Sequence, residues 1–388
     1  MENTMAAFET SEYRARMQRV CANMQEAGID TLVVLSQAHM TYLTGYEGDS
    51  DYVPQVTIVH AGDTDPIIIL REMDLYCAYP TVYLDESRIE CYPEDHIGTP
   101  DRSPWDVIGK RVAEIAGSGR IGVEFSSSNF SFADHQALVR VLGDRQLLDG
   151  SRMVTQARIK KSPAELAYMR QSAAIVDLAL TNGINAIAEG VRQCDVAARI
   201  THDLIAGTPE FGGGPSKPVT MPTGPGVAQA PHLKWTDAPY RDGDQTDFEV
   251  GAFVHRYTCA LSRTAIVGQP PARLLQVHDA VMDGFHAAES AIRPGATCGD
   301  VHRAFTKAFA PHGVRKESRI GYSIGLEWSD LCFSLQDDDE TVLETDFTTH
   351  LIIGIWERED AYVFSETMHV GETGAQSFSS MPRQLFIR

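Results

Sequence analysis

The sequence predicts two domains: an α/β domain over residues 1–158, then an α+β domain over residues 159–388 built from two related halves. Three observations predict this. The first third alternates segments of helical and strand period. A strongly marked helix start follows Lys160-Lys161. Beyond it, Ala186-Ile187-x-x-Gly190-x-x-x-x-Asp195-Val196 returns as Ala291-Ile292-x-x-Gly295-x-x-x-x-Asp300-Val301, every position displaced by the same 105 residues (Ala186 to Ala291).

Taken in order, Tyr13 to Gly28 reads as an amphipathic helix ended by Gly28, and Thr31 to Leu35 as a buried strand. Val56–His60, Ile67–Leu70 and Ile121–Phe125 read as further strands, giving an α/β domain of ordinary size. Ser162-Pro163-Ala164-Glu165 then opens a long helix, with Ser at the N-cap, Pro in the first helical position and Glu closing a capping box. Each copy of the repeat is a helix end, a glycine turn and the start of the next helix, with Thr297 and Asp300 at capping-box spacing. The repeat is read as a duplication, which makes the second domain pseudo-twofold.

Composition is that of a globular protein, 43% hydrophobic and 22% charged over 388 residues. The 53 acidic residues against 33 basic give a formal net charge of −20, which argues against nucleic acid or an anionic membrane as a partner. The seven cysteines are scattered and never form C-x-x-C, a pattern expected of a reducing compartment without a disulfide framework. The polar opening MENTMAAFETSEYRARMQ does not read as a secretory signal, and there is no apolar run of membrane-spanning length. A cytoplasmic location is the expectation.

The segment from Gly243 to Gly268, GDQTDFEVGAFVHRYTCALSRTAIVG, concentrates the chemistry. Within it Phe248, Val250 and Ala252 alternate with Glu249, Gly251 and Phe253, so Glu249 is either a solvated edge residue or a carboxylate facing a cleft. The segment resembles the first metal-ligand hairpin of the pita-bread family, which includes methionine aminopeptidase, Xaa-Pro peptidase and creatinase. The framework residues Gly243, Asp244, Gly251, Tyr257, Arg263 and Thr264 are present, but the two aspartate ligand positions hold Glu249 and Ala260. The family's GHGIG reads Gly321-Tyr322-Ser323-Ile324-Gly325, and its Glu-Pro-Gly reads Ile352-Ile353-Gly354. The last family Glu is matched to Glu366 in FSETMHV.

The resemblance implies a pita-bread fold of two αα-plus-hairpin halves with the active site in the cleft between them. Two carboxylates are too few for a hard divalent site, so no metal and no other cofactor is expected. With Glu249 and Glu366 facing one cleft, either one is protonated or a cationic ligand neutralises both, which points to a positively charged, amidine-like substrate. His232, in APHLKW, matches a family histidine beside the scissile group and is expected to transfer protons. Tyr322 either donates a hydrogen bond to the substrate or fills the vacated metal space, and His350 is a further candidate for the same wall.

Within the family, the chain is most similar to the ectoine hydrolase branch. MTYLTGYEG (40–48), YVPQV (52–56), KSPAELAYMR (161–170), GVRQCDVAA (190–198), GTPEFGG (207–213), APHLKWTD (230–237), KESRIGYSIGL (316–326) and MPRQLF (381–386) carry that resemblance. Tyr52, Glu210 and Trp235 lie in these segments and are taken with Tyr322 and His350 as substrate-binding. GTPEFGG is not a phosphate loop, since no Lys-Ser/Thr pair or helix opening follows it.

The resemblance implies hydrolytic opening of the zwitterionic cyclic amidine ectoine, or hydroxyectoine, to N-acetyl-2,4-diaminobutyrate. Glu249 would attack the amidine carbon or activate a water, His232 would shuttle protons and Glu366 would hold the amidinium. It also implies a homodimer whose N-terminal domain lids the partner's site, and functional pairing with a deacetylase. LREMDLYCAY (70–79), Thr349 and Ile353 depart from that branch and leave a related amidine open as the substrate. Two rivals stand beside this reading. A creatinase-like amidinohydrolase lacks support at Ser262, where creatinase carries a substrate-binding Glu. A non-catalytic peptidase-like binding protein would show erosion of the whole pocket, whereas here the changes fall on metal-specific positions.

Overall fold

In the computed structural model, which describes residues 5–50, 52–99 and 101–388, the chain divides between Arg158 and Ile159 into two units. The first unit runs α1 (Thr10–Ala27), β1 (Thr31–Val34), α2 (Gln37–Thr44), β2 (Val56–His60), β3 (Ile67–Arg71), α3 (Leu75–Thr81), β4 (Ile89–Tyr92), α4 (Pro104–Ala116), β5 (Ile121–Val123), α5 (Phe132–Leu142), β6 (Leu147–Asp149) and α6 (Arg152–Ala157). Gly28 ends α1 at φ +67°, where its amide caps the carbonyls of Gln25 and Met24. The strands form a mixed sheet in the order β4-β3-β2-β1-β5-β6. One core of this unit joins Val33, Ile58 and Ile69 to Trp105, Ile108 and Val112 of α4. The strand expected to reach Phe125 stops at Val123, because the Glu124 carboxylate turns back to accept from the amides of Leu35 and Ser36.

The second unit runs α7 (Pro163–Ala186), α8 (Gln193–Ala206), β7 (Gly214–Pro215), β8 (Gln245–Val254), β9 (Tyr257–Ile266), α9 (Ala272–Ala291), α10 (Cys298–Phe309), β10 (Gly321–Ser323), β11 (Thr348–Trp356), β12 (Ala361–Gly371), β13 (Gly374–Ser377) and β14 (Phe386–Ile387). The Ser162–Glu165 and Thr297–Asp300 capping boxes both form. The duplication is physical. Helices α7 and α9 end at Ala186 and Ala291, Gly190 and Gly295 share φ +87°, and α8 and α10 start at Gln193 and Cys298. Each helix pair is followed by a long hairpin, β8–β9 in one half and β11–β12 in the other. This is the pita-bread architecture.

One sheet joins the halves in the order β10-β11-β12-β9-β8-β7. Between the hairpins the paired position is Ser365 opposite Ser262. Phe248, Val250, Ala252 and Leu261 pack on α7 and α8, while Leu351, Ile353, Phe364 and Met368 pack on α9 and α10. Residues of the opposite parity therefore share the other face, away from the helices. Among the described residues, no helix is long and apolar enough to cross a membrane.

Candidate active site

The site is the helix-free face of the sheet where the two hairpins meet. Glu249 lies opposite Ser262, Ser262 opposite Ser365, and Ser365 opposite Ile352, so these four side chains cross the sheet in one row. In the neighbouring row Gly251 lies opposite Ala260, while on the far side Thr367 lies opposite His350 and His350 opposite Tyr322. Between β9 and β12 side-chain hydroxyls take part in main-chain pairing. Thr367 Oγ1 accepts from the Ala260 amide at 3.0 Å and donates to its carbonyl at 2.9 Å.

Glu366 is not part of this face. The expectation that it shares a cleft with Glu249 is overturned by the register: Ser365 occupies the site row, so its successor points into the helix-packed layer between Phe364 and Met368. There the Glu366 carboxylate accepts from Arg263 Nη2 at 2.6 Å and from Ser377 Oγ at 2.7 Å, and both members of the ion pair are buried. On this register the last ligand position of the family falls on Ser365. The site contains one carboxylate of the expected pair, and the charge argument built on two facing carboxylates does not hold.

Glu249 is matched by a cation from within the chain. Lys217 Nζ donates to Glu249 Oε2 at 2.6 Å and lies 3.8 Å from the centroid of the Trp328 ring. Trp328 Nε1 donates to the Tyr322 hydroxyl at 2.8 Å. That hydroxyl is 3.2 Å from His350 Nδ1, and His350 Nε2 is 2.7 Å from Ser365 Oγ. The Tyr322 hydroxyl, which accepts from the indole, thus links Trp328 to one ring nitrogen of His350, and Ser365 engages the other. Burial, with the Glu249 charge nearby, raises the Tyr322 phenol well above its usual range, so it stays protonated. Burial first, and the Lys217 ammonium second, lowers the His350 imidazole to about 3.

His350 is therefore neutral at physiological pH, and this has a measurable consequence. In the unfolded chain it takes up a proton near its ordinary value of about 6.5, whereas in the fold it resists until about 3. Between those limits the unfolded state binds more protons, so stability falls as pH falls, by up to about 1.4 kcal/mol per pH unit. His350→Gln is expected to show a shallower loss of urea midpoint from pH 6 to pH 4 than the parent. Parallel slopes for the two proteins would contradict this account.

His232 is exposed in the turn where the Leu233 amide bonds the Ala230 carbonyl. Main-chain bonds tie the turn to the site edge: Met221 N donates to Leu233 O, and the adjacent Thr220 bridges Glu249. Trp235 is half-buried and packs against the core under β8 and β9. Glu210 is exposed in the turn after α8, with its amide bonded to Thr208 Oγ1. Tyr52 lies in the first unit, where its hydroxyl accepts from Arg71 Nη2 at 2.7 Å. Of the residues singled out from sequence, the structure thus gathers Glu249, Tyr322 and His350 on one wall. Sequence reasoning missed Lys217, Trp328 and Ser365, and it read Ser262 only as the loss of a creatinase glutamate. Parity along β12 could have found Ser365, but local pattern gives no hint of Lys217.

The donor set does not fit a divalent pair. Of the positions where the pita-bread resemblance places ligands, Glu249 alone holds a carboxylate; Ala260 and Ile352 offer no donor, and Tyr322 and Ser365 offer hydroxyls engaged with Trp328 and His350. Among the described residues no three His, Cys, Asp or Glu cluster as a metal site. Buried polar atoms without partners among the described residues remain on this side of the sheet, among them one in the site row. Ser262 Oγ, between Glu249 and Ser365, has no hydrogen-bond partner among the described residues.

Comparison with known proteins agrees with this architecture. Metallopeptidase family M24 matches residues 167–373, and the creatinase/prolidase N-terminal domain matches residues 16–160. An uncharacterized hydrolase/peptidase of Sinorhizobium fredii, y4tL, is 35% identical over 98% of this chain and 97% of its own. The ectoine hydrolase of Halomonas elongata is 32% identical over 98% of each chain. The crystal structure of dipeptidase PepE from Mycobacterium ulcerans superimposes with a TM-score of 0.83 at 22% identity, covering 98% of this chain and 99% of that one, a likeness of fold.

Proposed function

We propose, from the premise that this chain belongs to metallopeptidase family M24 and carries a creatinase/prolidase N-terminal domain, that it is a hydrolase working without metal on the cyclic amidine ring of ectoine or hydroxyectoine. Membership makes it a hydrolase of the creatinase and peptidase type, and the ectoine hydrolase relative supplies the substrate class. The single observation that carries the reading is the exchange at the ligand positions: one carboxylate, Glu249, is kept and matched by a lysine, while the rest carry no metal-binding charge.

An amidinium is planar, cationic and electrophilic at its central carbon. Placed against Glu249 it meets the anion it needs, and Ser262 Oγ beside that carboxylate can accept from a ring N–H. Glu249 delivers oxygen to the amidine carbon, as nucleophile or as base toward a water. Overall, one water adds, the bond from that carbon to one ring nitrogen breaks, and the leaving nitrogen takes a proton. His232 is the proton carrier in this scheme, from the turn tied to the site edge. The protonated Tyr322 and neutral His350 hold the wall rigid and place no competing charge beside the amidinium.

The test is incubation with ectoine, followed by mass detection of a product one water heavier, in protein dialysed against a chelator. Turnover is expected to survive chelation unchanged. Loss of turnover on chelation, restored by stoichiometric divalent metal, would contradict the metal-free reading. Absence of the hydrated product from every sample would contradict the substrate.

A further inference from the structure

We infer that Lys217 is a specificity residue that binds the carboxylate of a zwitterionic substrate while Glu249 faces its cationic ring. This rests on the function proposed above and deepens it.

The backbone builds Lys217 into place. Segment 214–220 runs along β8, with Pro215 opposite Ala252, Ser216 N bonded to Gly251 O and Thr220 opposite Glu249. Between those anchors Lys217-Pro218-Val219 bulges away from the ladder, and Pro218 has no amide hydrogen with which to continue it. The bulge turns Lys217 back over Glu249, where the Trp328 ring supports its ammonium. Trp328 is itself held by Tyr322. The cation therefore has a platform that stays in place when its anion is taken.

The pair is also open to exchange. Lys217 is 26% exposed and Glu249 13%, unlike the sealed pair Arg263–Glu366. A ligand with only a positive charge would take Glu249 and strand a half-buried ammonium. A ligand that also carries a carboxylate replaces both partners at once, its cation on Glu249 and its anion on Lys217. Ectoine bears those two charges on one small ring. A second, independent sign of a ligand lies in the same place. Ser216 Oγ, next to Lys217, and Ser262 Oγ, opposite Glu249, are buried without partners among the described residues. A Cβ added at Gly251 would collide with Ser216 Oγ and the Trp328 ring, so glycine keeps these groups close together.

The experiment compares kcat/KM for ectoine and for the same ring lacking its carboxylate, in the parent, Lys217→Met and Lys217→Arg. The parent is expected to favour ectoine by about 10²-fold or more, as a site built around a polar group discriminates against an analogue without it. Lys217→Met is expected to lose that preference by losing rate on ectoine alone, and Lys217→Arg to retain most of it. Equal losses on both substrates would overturn the inference, since the lysine would then serve only Glu249. A parent enzyme without preference would overturn it with no variant needed. If the parent opens neither ring, the proposed function fails and this inference with it, an outcome distinct from the other two.

Discussion

Glu249→Gln is expected to lower turnover of ectoine by at least about 10²-fold while leaving the fold in place. Glutamine keeps the shape of the side chain and removes the charge, which serves here as counter-ion, as nucleophile or base, and as partner of Lys217. Stability should change little, because Glu249 points off the helix-packed face and its main chain stays paired with Ser262 and Thr220. Turnover and thermal unfolding measured on the same preparation separate the two effects. A variant within tenfold of the parent would remove Glu249 from the chemistry.

The contrast between Glu249 and Glu366 shows what a local pattern conveys. Strand parity placed Glu249 correctly, since Phe248, Val250 and Ala252 occupy the core side and leave it facing away. The same rule was available for β12. Tyr362, Phe364, Met368 and Val370 are all even-numbered core residues, and Glu366 falls in their register. Matching the family motif to the nearest carboxylate moved the site row by one residue, and a one-residue slip in a strand reverses the face. The duplication was legible for a different reason: helix caps and left-handed glycines obey short-range rules that repeat wherever the unit repeats. Lys217 had no such signature. Its approach to Glu249 depends on a bulge and on pairing between residues more than thirty apart in the chain, which no window of sequence encodes.

Glu366→Ala should then behave as the inverse of the Glu249 variant, with a large loss of stability and little loss of chemistry per folded molecule. The Arg263 guanidinium is sealed in the core, donating to the carbonyls of Ser262, Ser365, Met381 and Pro382 and stacking 4.4 Å from the Phe364 ring centroid. Glu366 is its counter-ion, with Arg383 Nε a further 3.5 Å contact to the same carboxylate. Carbonyl dipoles satisfy hydrogen bonds but do not cancel charge, so removing Glu366 leaves a buried cation uncompensated. Breaking such a pair typically costs about 3–5 kcal/mol, which for a unit of this size corresponds to a fall in unfolding midpoint of about 10 °C. Circular dichroism melts should show that fall, and kcat measured well below the new midpoint should stay within a few-fold of the parent. An unchanged midpoint accompanied by lost turnover would return Glu366 to the catalytic face and require a register for β12 different from the one that pairs Ser365 with Ser262.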